Sequence, residues 1–241
     1  MILGVLQART SSSRMPGKVM APILQEPMIW RQIERIRRAR SLDKLVVATS
    51  EEPSDDGLAG FLLGRGMTVY RGELNDVLGR FAACAEAWGP THVVRMTADC
   101  PLIEPRLIDA VVALALENRA AYATNFEPRT YPDGLDVEVM TAEALATAHR
   151  EASETYDREH VTPFLRNRPQ RFPQGSLVQA TDLGALRWTV DRPEDFAFVR
   201  AVYEALYTDD PDFGMEEILD LLDRRPDIAA LSERCLQAAA A

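Results

Sequence analysis

The sequence has 241 residues, 46% hydrophobic and 27% charged, which are the proportions of an ordinary globular chain long enough to bury a substantial core. No run of about 18 apolar residues occurs, which excludes a helical membrane span. The 37 acidic and 27 basic side chains give a formal charge of −10, which argues against a duplex-gripping nucleic-acid binder but not against a small phosphate ligand.

Ile2–Gln7 is the first predicted strand; it lacks the basic flank and cleavage site of a signal peptide. Cys84, Cys100 and Cys235 are odd in number and have no metal-binding spacing, so reduced thiols in a cytoplasmic protein are expected. Pro27–Arg40 follows as a helix with Met28, Ile29, Ile33 and Ile36 on one face. Its arginines 31, 35 and 38 are expected to form a solvated face. Next come a strand at Leu45–Ala48, a helix at Asp55–Gly66 capped by Ser54, and a strand at Thr68–Tyr70. A helix at Asn75–Trp88 stops before Gly89-Pro90, and His92–Met96 is the fourth strand. Pro105–Asn118 is a helix with proline in its first turn. Strands at Ala121–Thr124 and Asp136–Val139 flank a loop-like stretch long enough to be functional. Helices at Ala142–Ala152 and Arg158–Arg166, a strand at Arg187–Val190, and helices at Pro193–Tyr207 and Met215–Asp223 complete the reading. Strands alternating with helices predict a mostly parallel sheet flanked by helices, in a single domain over residues 1–241.

The strongest chemical signal is Ala8-Arg9-Thr10-Ser11-Ser12-Ser13-Arg14-Met15-Pro16-Gly17-Lys18, directly after the first strand. Hydroxyls, cations and a glycine follow the carboxyl end of a strand, where open α/β sheets bind ligands and where successive backbone amides can cradle an anion. The stretch is not a Walker A loop, because G-x-x-x-x-G-K-[ST] is absent. Asp136 and Glu138 alternate along their predicted strand and so share a face, where with Asp133 they can meet sugar hydroxyls or a second metal ion. Asp195 is placed to cap the helix it opens.

Ser13-Arg14-Met15-Pro16-Gly17-Lys18-Val19-Met20 resembles the signature loop of the cytidylyltransferases that activate cell-surface sugars, among them the 3-deoxy-manno-octulosonate and acylneuraminate enzymes and the spore-coat polysaccharide, SpsF-like branch. Further motifs match in order: Arg71-Gly72, the run from Asp76 to Phe81, Thr97-Ala98-Asp99-Cys100-Pro101, the run from Tyr131 to Glu138, Arg158-Glu159-His160-Val161-Thr162-Pro163, and Trp188-Thr189-Val190-Asp191-Arg192-Pro193. The resemblance implies a Rossmann-like sheet of the nucleotide-diphospho-sugar transferase type. It implies that Arg9, Arg14 and Lys18 serve catalysis, and that nucleotide is held by Ala8, Arg9, Thr10, Ser11, Ser12, Ser13, Gly17, Lys18, Arg71, Gly72, Arg95 and Thr97. Asp99 and Asp191, each after a predicted strand, are the implied Mg2+ ligands. Asp133, Asp136, Glu138, Glu159 and His160 are the implied acceptor contacts, in a lobe over residues 125–170 that would also carry dimerisation. The implied partners are a nucleoside triphosphate, CTP by family preference, a small sugar-like acceptor and a second copy of the chain.

Two rival functions remain at this point. A metal-dependent glycosyltransferase would want a D-x-D pair after a central strand, whereas the only such run is Asp210-Pro211-Asp212 in a predicted loop. A non-catalytic nucleotide-binding protein would have no need of Lys18, Asp99 and Asp191 together.

Overall fold

Val, Ile and Leu fill both faces of the central strands, and strands buried on both sides require a helical layer over each. The computed structural model describes the backbone of residues 1–240 and the side chains of residues 1–235. In chain order the first elements are β1 (Ile2–Gln7), β2 (Pro22–Ile23), β3 (Glu26–Pro27), α1 (Met28–Ile36), β4 (Lys44–Ser50), α2 (Asp56–Gly64), β5 (Thr68–Gly72), α3 (Val77–Trp88), β6 (His92–Thr97) and α4 (Pro105–Glu117). They are followed by β7 (Tyr122–Thr124), β8 (Glu138–Thr141), α5 (Ala142–Glu151), α6 (Thr155–His160), α7 (Pro163–Arg166), β9 (Gln174–Ser176), α8 (Pro193–Leu206), α9 (Met215–Arg224) and α10 (Pro226–Ala240).

Seven strands form one sheet in the order β5-β4-β1-β6-β8-β7-β9, and β2 pairs with β3 in a small separate hairpin. Within the large sheet only β8 runs antiparallel to the rest. Leu6, Val47 and Val94 pack under α1, α2 and α4, while Val5, Val46 and Val93 face α3 and α5 on the opposite side. A third cluster joins Trp188, Leu135 and Tyr131 to α8, α9 and α10. No helix among the described residues is long and apolar enough to cross a membrane.

The structure corrects several sequence expectations. Residues 187–190 do not form a strand; they touch the loop before β8 through a single bridge, Asp133 to Arg187. β8 begins at Glu138, so Asp136 lies in the preceding loop and does not share a strand face with it. The predicted helix over Arg158–Arg166 is two short helices divided at Val161, which sits at φ 71°, ψ −55°. The Thr162 amide donates to the His160 carbonyl at 2.8 Å across that residue, a strained γ-turn. The arginine face of α1 is not solvated: Arg31 and Arg35 are 6% and 2% exposed. Arg31 donates to the Ile23 and Leu24 carbonyls and lies 4.3 Å from the Tyr207 ring; Arg35 donates to the Ile103 carbonyl and lies 4.5 Å from the Phe213 ring. Helical period identifies a polar face, but it cannot show that the far end of the chain returns to cover it. Asp212, from the D-x-D run, is spent on Arg38 of this same face.

Candidate active site

From β1 the chain builds outward through β4 to β5, then returns to place β6 on the other side of β1. Such a reversal opens a crevice at the carboxyl ends of the two strands. A cavity of about 360 Å³ lies there, walled by Gln7-Ala8 at the end of β1 and Thr97-Ala98 at the end of β6. Arg9, Ser12, Ser13, Arg14 and Lys18 enter it from the loop, Val77 and Arg80 from α3, and Arg95, Asp99, Glu159, His160 and Asp191 from elsewhere in the chain.

The loop owes its shape to Thr10. Its amide donates to Asp55 Oδ1 at 2.7 Å, and its hydroxyl lies 2.7 Å from the same oxygen. Its carbonyl accepts the amides of Ser12 at 2.9 Å and Gly17 at 2.8 Å, with Gly17 at φ 74°. Thr10 and Gly17 therefore fold the loop, while Ser12 and Ser13 line the cavity and Ser11 lies exposed off its wall. Asp55 is fully buried; burial pushes its carboxyl up, but the bonds from Ser50 and Thr10 outweigh this and hold it below the ordinary value. Ser54, the expected helix cap, contributes only its carbonyl, 2.9 Å from the Thr10 hydroxyl.

Lys18 is 8% exposed and joins the loop to both aspartates. Its Nζ donates to the Val190 carbonyl at 2.6 Å and to Asp191 Oδ1 at 3.1 Å, and lies 3.7 Å from Asp99 Oδ2. Asp191 also meets Arg187 at 2.8 Å and Arg14 at 3.2 Å. Burial pushes the Asp191 carboxyl up, but Lys18, Arg187 and Arg14 together hold it below the usual carboxylate range. The segment carrying it is fastened to the turn after β6: the Val190 amide donates to the Asp99 carbonyl at 2.7 Å. Asp195 accepts the amides of Asp191 and Arg192, capping α8 as the sequence suggests.

Among the described residues no group of three or more His, Cys, Asp or Glu side chains is arranged to hold a metal ion. Mg2+ does not require one, since it is commonly held by one or two carboxylates, phosphate oxygens and water. Asp99 and Asp191, both within 4 Å of one ammonium, fit that demand when a triphosphate supplies the remaining oxygens.

Several expected site residues do not line the cavity. Arg71 turns away to the Ser50 and Glu52 carbonyls and to Asp56. Gly72 backs the Arg80 stem, where a β-carbon would stand 3.1 Å from Arg80 Cγ. Glu138 is 2% exposed, paired with Arg95 and accepting the Tyr122 hydroxyl at 2.6 Å. It anchors the one strand-borne arginine that does line the cavity. Asp136 is gripped by Arg129 at 2.7 and 2.8 Å, and Asp133 by Arg187 at 2.7 Å. Burial pushes the Asp136 carboxyl up despite Arg129, with Asp133 and Glu138 reinforcing the effect. At the mouth, the His160 ring packs against Tyr156 at a tilt of 52° with centroids 4.4 Å apart, next to Glu159. Gln7, Val19, Val77, Arg80 and Ala98 line the cavity although the sequence did not single them out as site residues. The available signal was positional: a helix that follows a parallel strand starts at the carboxyl edge, so its first turn faces the crevice.

A family model described as cytidylyltransferase matches residues 3–234. The spore coat polysaccharide biosynthesis protein SpsF of Bacillus subtilis is 32% identical over 239 residues, covering 96% of this chain and 98% of the relative. The 3-deoxy-manno-octulosonate cytidylyltransferase of Geobacter sulfurreducens is 30% identical over 205 residues, covering 81% and 79%. The structure of a cytidylyltransferase from Leptospira borgpetersenii superposes with a TM-score of 0.89 at 28% identity, covering 94% of this chain and 95% of that one. Loop, lysine, paired aspartates and these likenesses agree, and the chain belongs to the cytidylyltransferase family.

Proposed function

We propose that this protein transfers CMP from Mg2+-bound CTP to a hydroxyl of a small sugar-acid acceptor and releases pyrophosphate. The observation that carries the reading is Lys18, buried and held between Asp99 and Asp191 at the end of a serine-rich loop. The acceptor oxygen attacks the α-phosphorus, the bond to the β-phosphate oxygen breaks, pyrophosphate departs and the acceptor proton passes to solvent. Asp99 and Asp191 would hold the Mg2+, which supplies charge neutralisation at the phosphates. Lys18, Arg14 and Arg9 bind phosphate oxygens and stabilise the charge that grows on the leaving group. Loop amides and the Ser12 and Ser13 hydroxyls orient the triphosphate. Glu159 and His160, at the mouth, meet the acceptor.

Thermal unfolding with CTP, UTP, ATP or GTP plus Mg2+ tests this on the wild type and on Lys18→Ala. A ligand at 100 times its Kd adds about 2.7 kcal/mol of stability. Stabilisation by CTP that largely disappears in Lys18→Ala, with pyrophosphate released when a sugar acid is added, is the expected result. Failure of every triphosphate to stabilise the wild type overturns the reading.

A further inference from the structure

Asp133, Asp136 and Glu138 carry the oxygens that a second metal ion would want, and the fold gives each of them an arginine instead. Arg129 forks onto Asp136 at 2.7 and 2.8 Å, Arg95 pairs with Glu138, and Arg187 Nη1 reaches Asp133 at 2.7 Å. Arg187 also touches a carboxylate of the metal site: its Nη2 donates to Asp191 Oδ2 at 2.8 Å. The same nitrogen lies 3.5 Å from Asp195 Oδ2, which already accepts the amides of Asp191 and Arg192. One guanidinium thus stands between three carboxylates.

Three cations meet Asp191, and they differ in the partners open to them. Lys18, on Oδ1, and Arg14, on Oδ2, belong to the loop after β1 and line the cavity. A triphosphate in that cavity offers both of them other oxygens. Arg187 is off the cavity wall and its side chain is 15% exposed, so it has no such alternative. Asp133 holds its other end, and the two backbones are bridged through the Trp188 amide, which donates to the Asp133 carbonyl at 2.6 Å. Arg187 therefore keeps Oδ2 of Asp191 when Lys18 gives up Oδ1. An arginine suits that position, because it is always charged and its planar fork meets two carboxylates in a fixed geometry.

Resting on the CTP–Mg2+ reading above, we propose that Arg187 is the resident cation of the metal site. It takes the place between Asp133 and Asp191 that a second protein-held metal ion would fill, and it leaves Oδ1 of Asp191 for the one ion that Asp99 shares. Arg187 touches neither nucleotide nor metal; it is a positioning residue that acts through Asp191. It also sets the affinity of the site. While its charge neutralises Asp133 and Asp191, these carboxylates attract a free divalent ion weakly, and the metal enters with the triphosphate.

Mn2+, whose free form is read by electron paramagnetic resonance, stands in for Mg2+ because it accepts the same oxygen ligands. Its uptake is titrated without nucleotide on wild type, Arg187→Met, Arg187→Gln and Arg187→Lys. The wild type is expected to bind weakly and to saturate at no more than one ion. Arg187→Met removes a unit charge from between two carboxylates and is expected to bind Mn2+ about tenfold more tightly or better. Arg187→Gln, which keeps a hydrogen-bonding amide without the charge, gives the same gain and decides the matter if Arg187→Met does not fold. Arg187→Lys keeps the charge and stays within about threefold of wild type. A gain of affinity is a readout that mere loss of packing does not produce. Unchanged or weaker Mn2+ binding in a folded, uncharged variant overturns the proposal. So does an equal gain in Arg187→Lys, or a second ion held by the nucleotide-free wild type. Adding CTP to the wild type tests the nucleotide reading separately, since it is expected to draw Mn2+ onto the protein beyond what CTP binds in buffer. If CTP adds nothing, the nucleotidyl-transfer reading falls, whereas the Arg187 result, obtained without nucleotide, is decided on its own.

Discussion

Replacing Gly134 by alanine tests how the tertiary structure delivers Asp191. Gly134 adopts φ 109°, and a β-carbon there would stand 2.5 Å from both the Thr189 nitrogen and the Trp188 carbonyl carbon. Both atoms are backbone, so no side chain can swing aside. The contact belongs to a short ladder in which the Asp133 amide donates to the Leu186 carbonyl at 2.9 Å and the Trp188 amide to the Asp133 carbonyl at 2.6 Å. Trp188 is fully buried, so the segment leading to Asp191 is clamped between this turn and the third core cluster. A positive φ on a residue with a β-carbon costs about 1–3 kcal/mol. Forcing packed backbone apart costs about 1–3 kcal/mol more. Even the lower sum, about 2 kcal/mol, corresponds to a fall in Tm of about 4–8 °C for a chain of this length. Because the displaced segment ends at Asp191, CTP–Mg2+ affinity is also expected to fall by about tenfold or more, equivalent to about 1.4 kcal/mol. Differential scanning fluorimetry with a CTP titration measures both. A Gly134→Ala protein with wild-type Tm would refute the close approach. A lowered Tm with wild-type affinity would break the link between this turn and Asp191.

Glu138→Ala leaves Arg95 charged and without the carboxylate it pairs with, so a loss of about 3–5 kcal/mol is expected in urea denaturation; the double variant with Arg95→Met should recover most of it, and independent, additive losses would argue against the pair. Val161→Gly removes strain of about 1–3 kcal/mol while losing a fully buried valine worth about 1.5–3 kcal/mol. The two effects nearly cancel, and stability within about 1 kcal/mol of wild type is expected; a larger loss would mean the γ-turn stores little strain. Asp55, Asp76 and Asp191 all titrate below the ordinary value of 3.8 in the folded protein. Their stabilisation is therefore fully present above the unfolded-state value and is lost as the pH falls through the depressed folded values. Asp55→Asn should flatten the acid side of a Tm-against-pH curve, and an unaltered acid slope would remove Asp55 from the account.

Much of the fold and one half of the site are legible in the chain itself. β1 coincides with its predicted span, and β4, β5 and β6 extend their predictions by a residue or a few, because short buried runs of Val and Leu between helical periods are a local pattern. The loop after β1 is equally local: its serines, cations and Pro-Gly-Lys lie together in sequence before they lie together in space. Tertiary structure alone decided the rest. Asp191 reaches Lys18 not from a strand end but from an extended segment stitched to Asp99, a contact between positions remote in sequence. Glu138, Asp133 and Asp136 carry the residue types that bind sugars, yet their oxygens are occupied by Arg95, Arg187 and Arg129. Arg31 and Arg35 look like a solvated face until the last helices close over them. Residue type and spacing determine which backbone pattern is locally favourable and which side chains can carry charge. Whether a given charge faces ligand, solvent or another side chain depends on which distant segment desolvates and neutralises it, and that is settled only when the chain has folded.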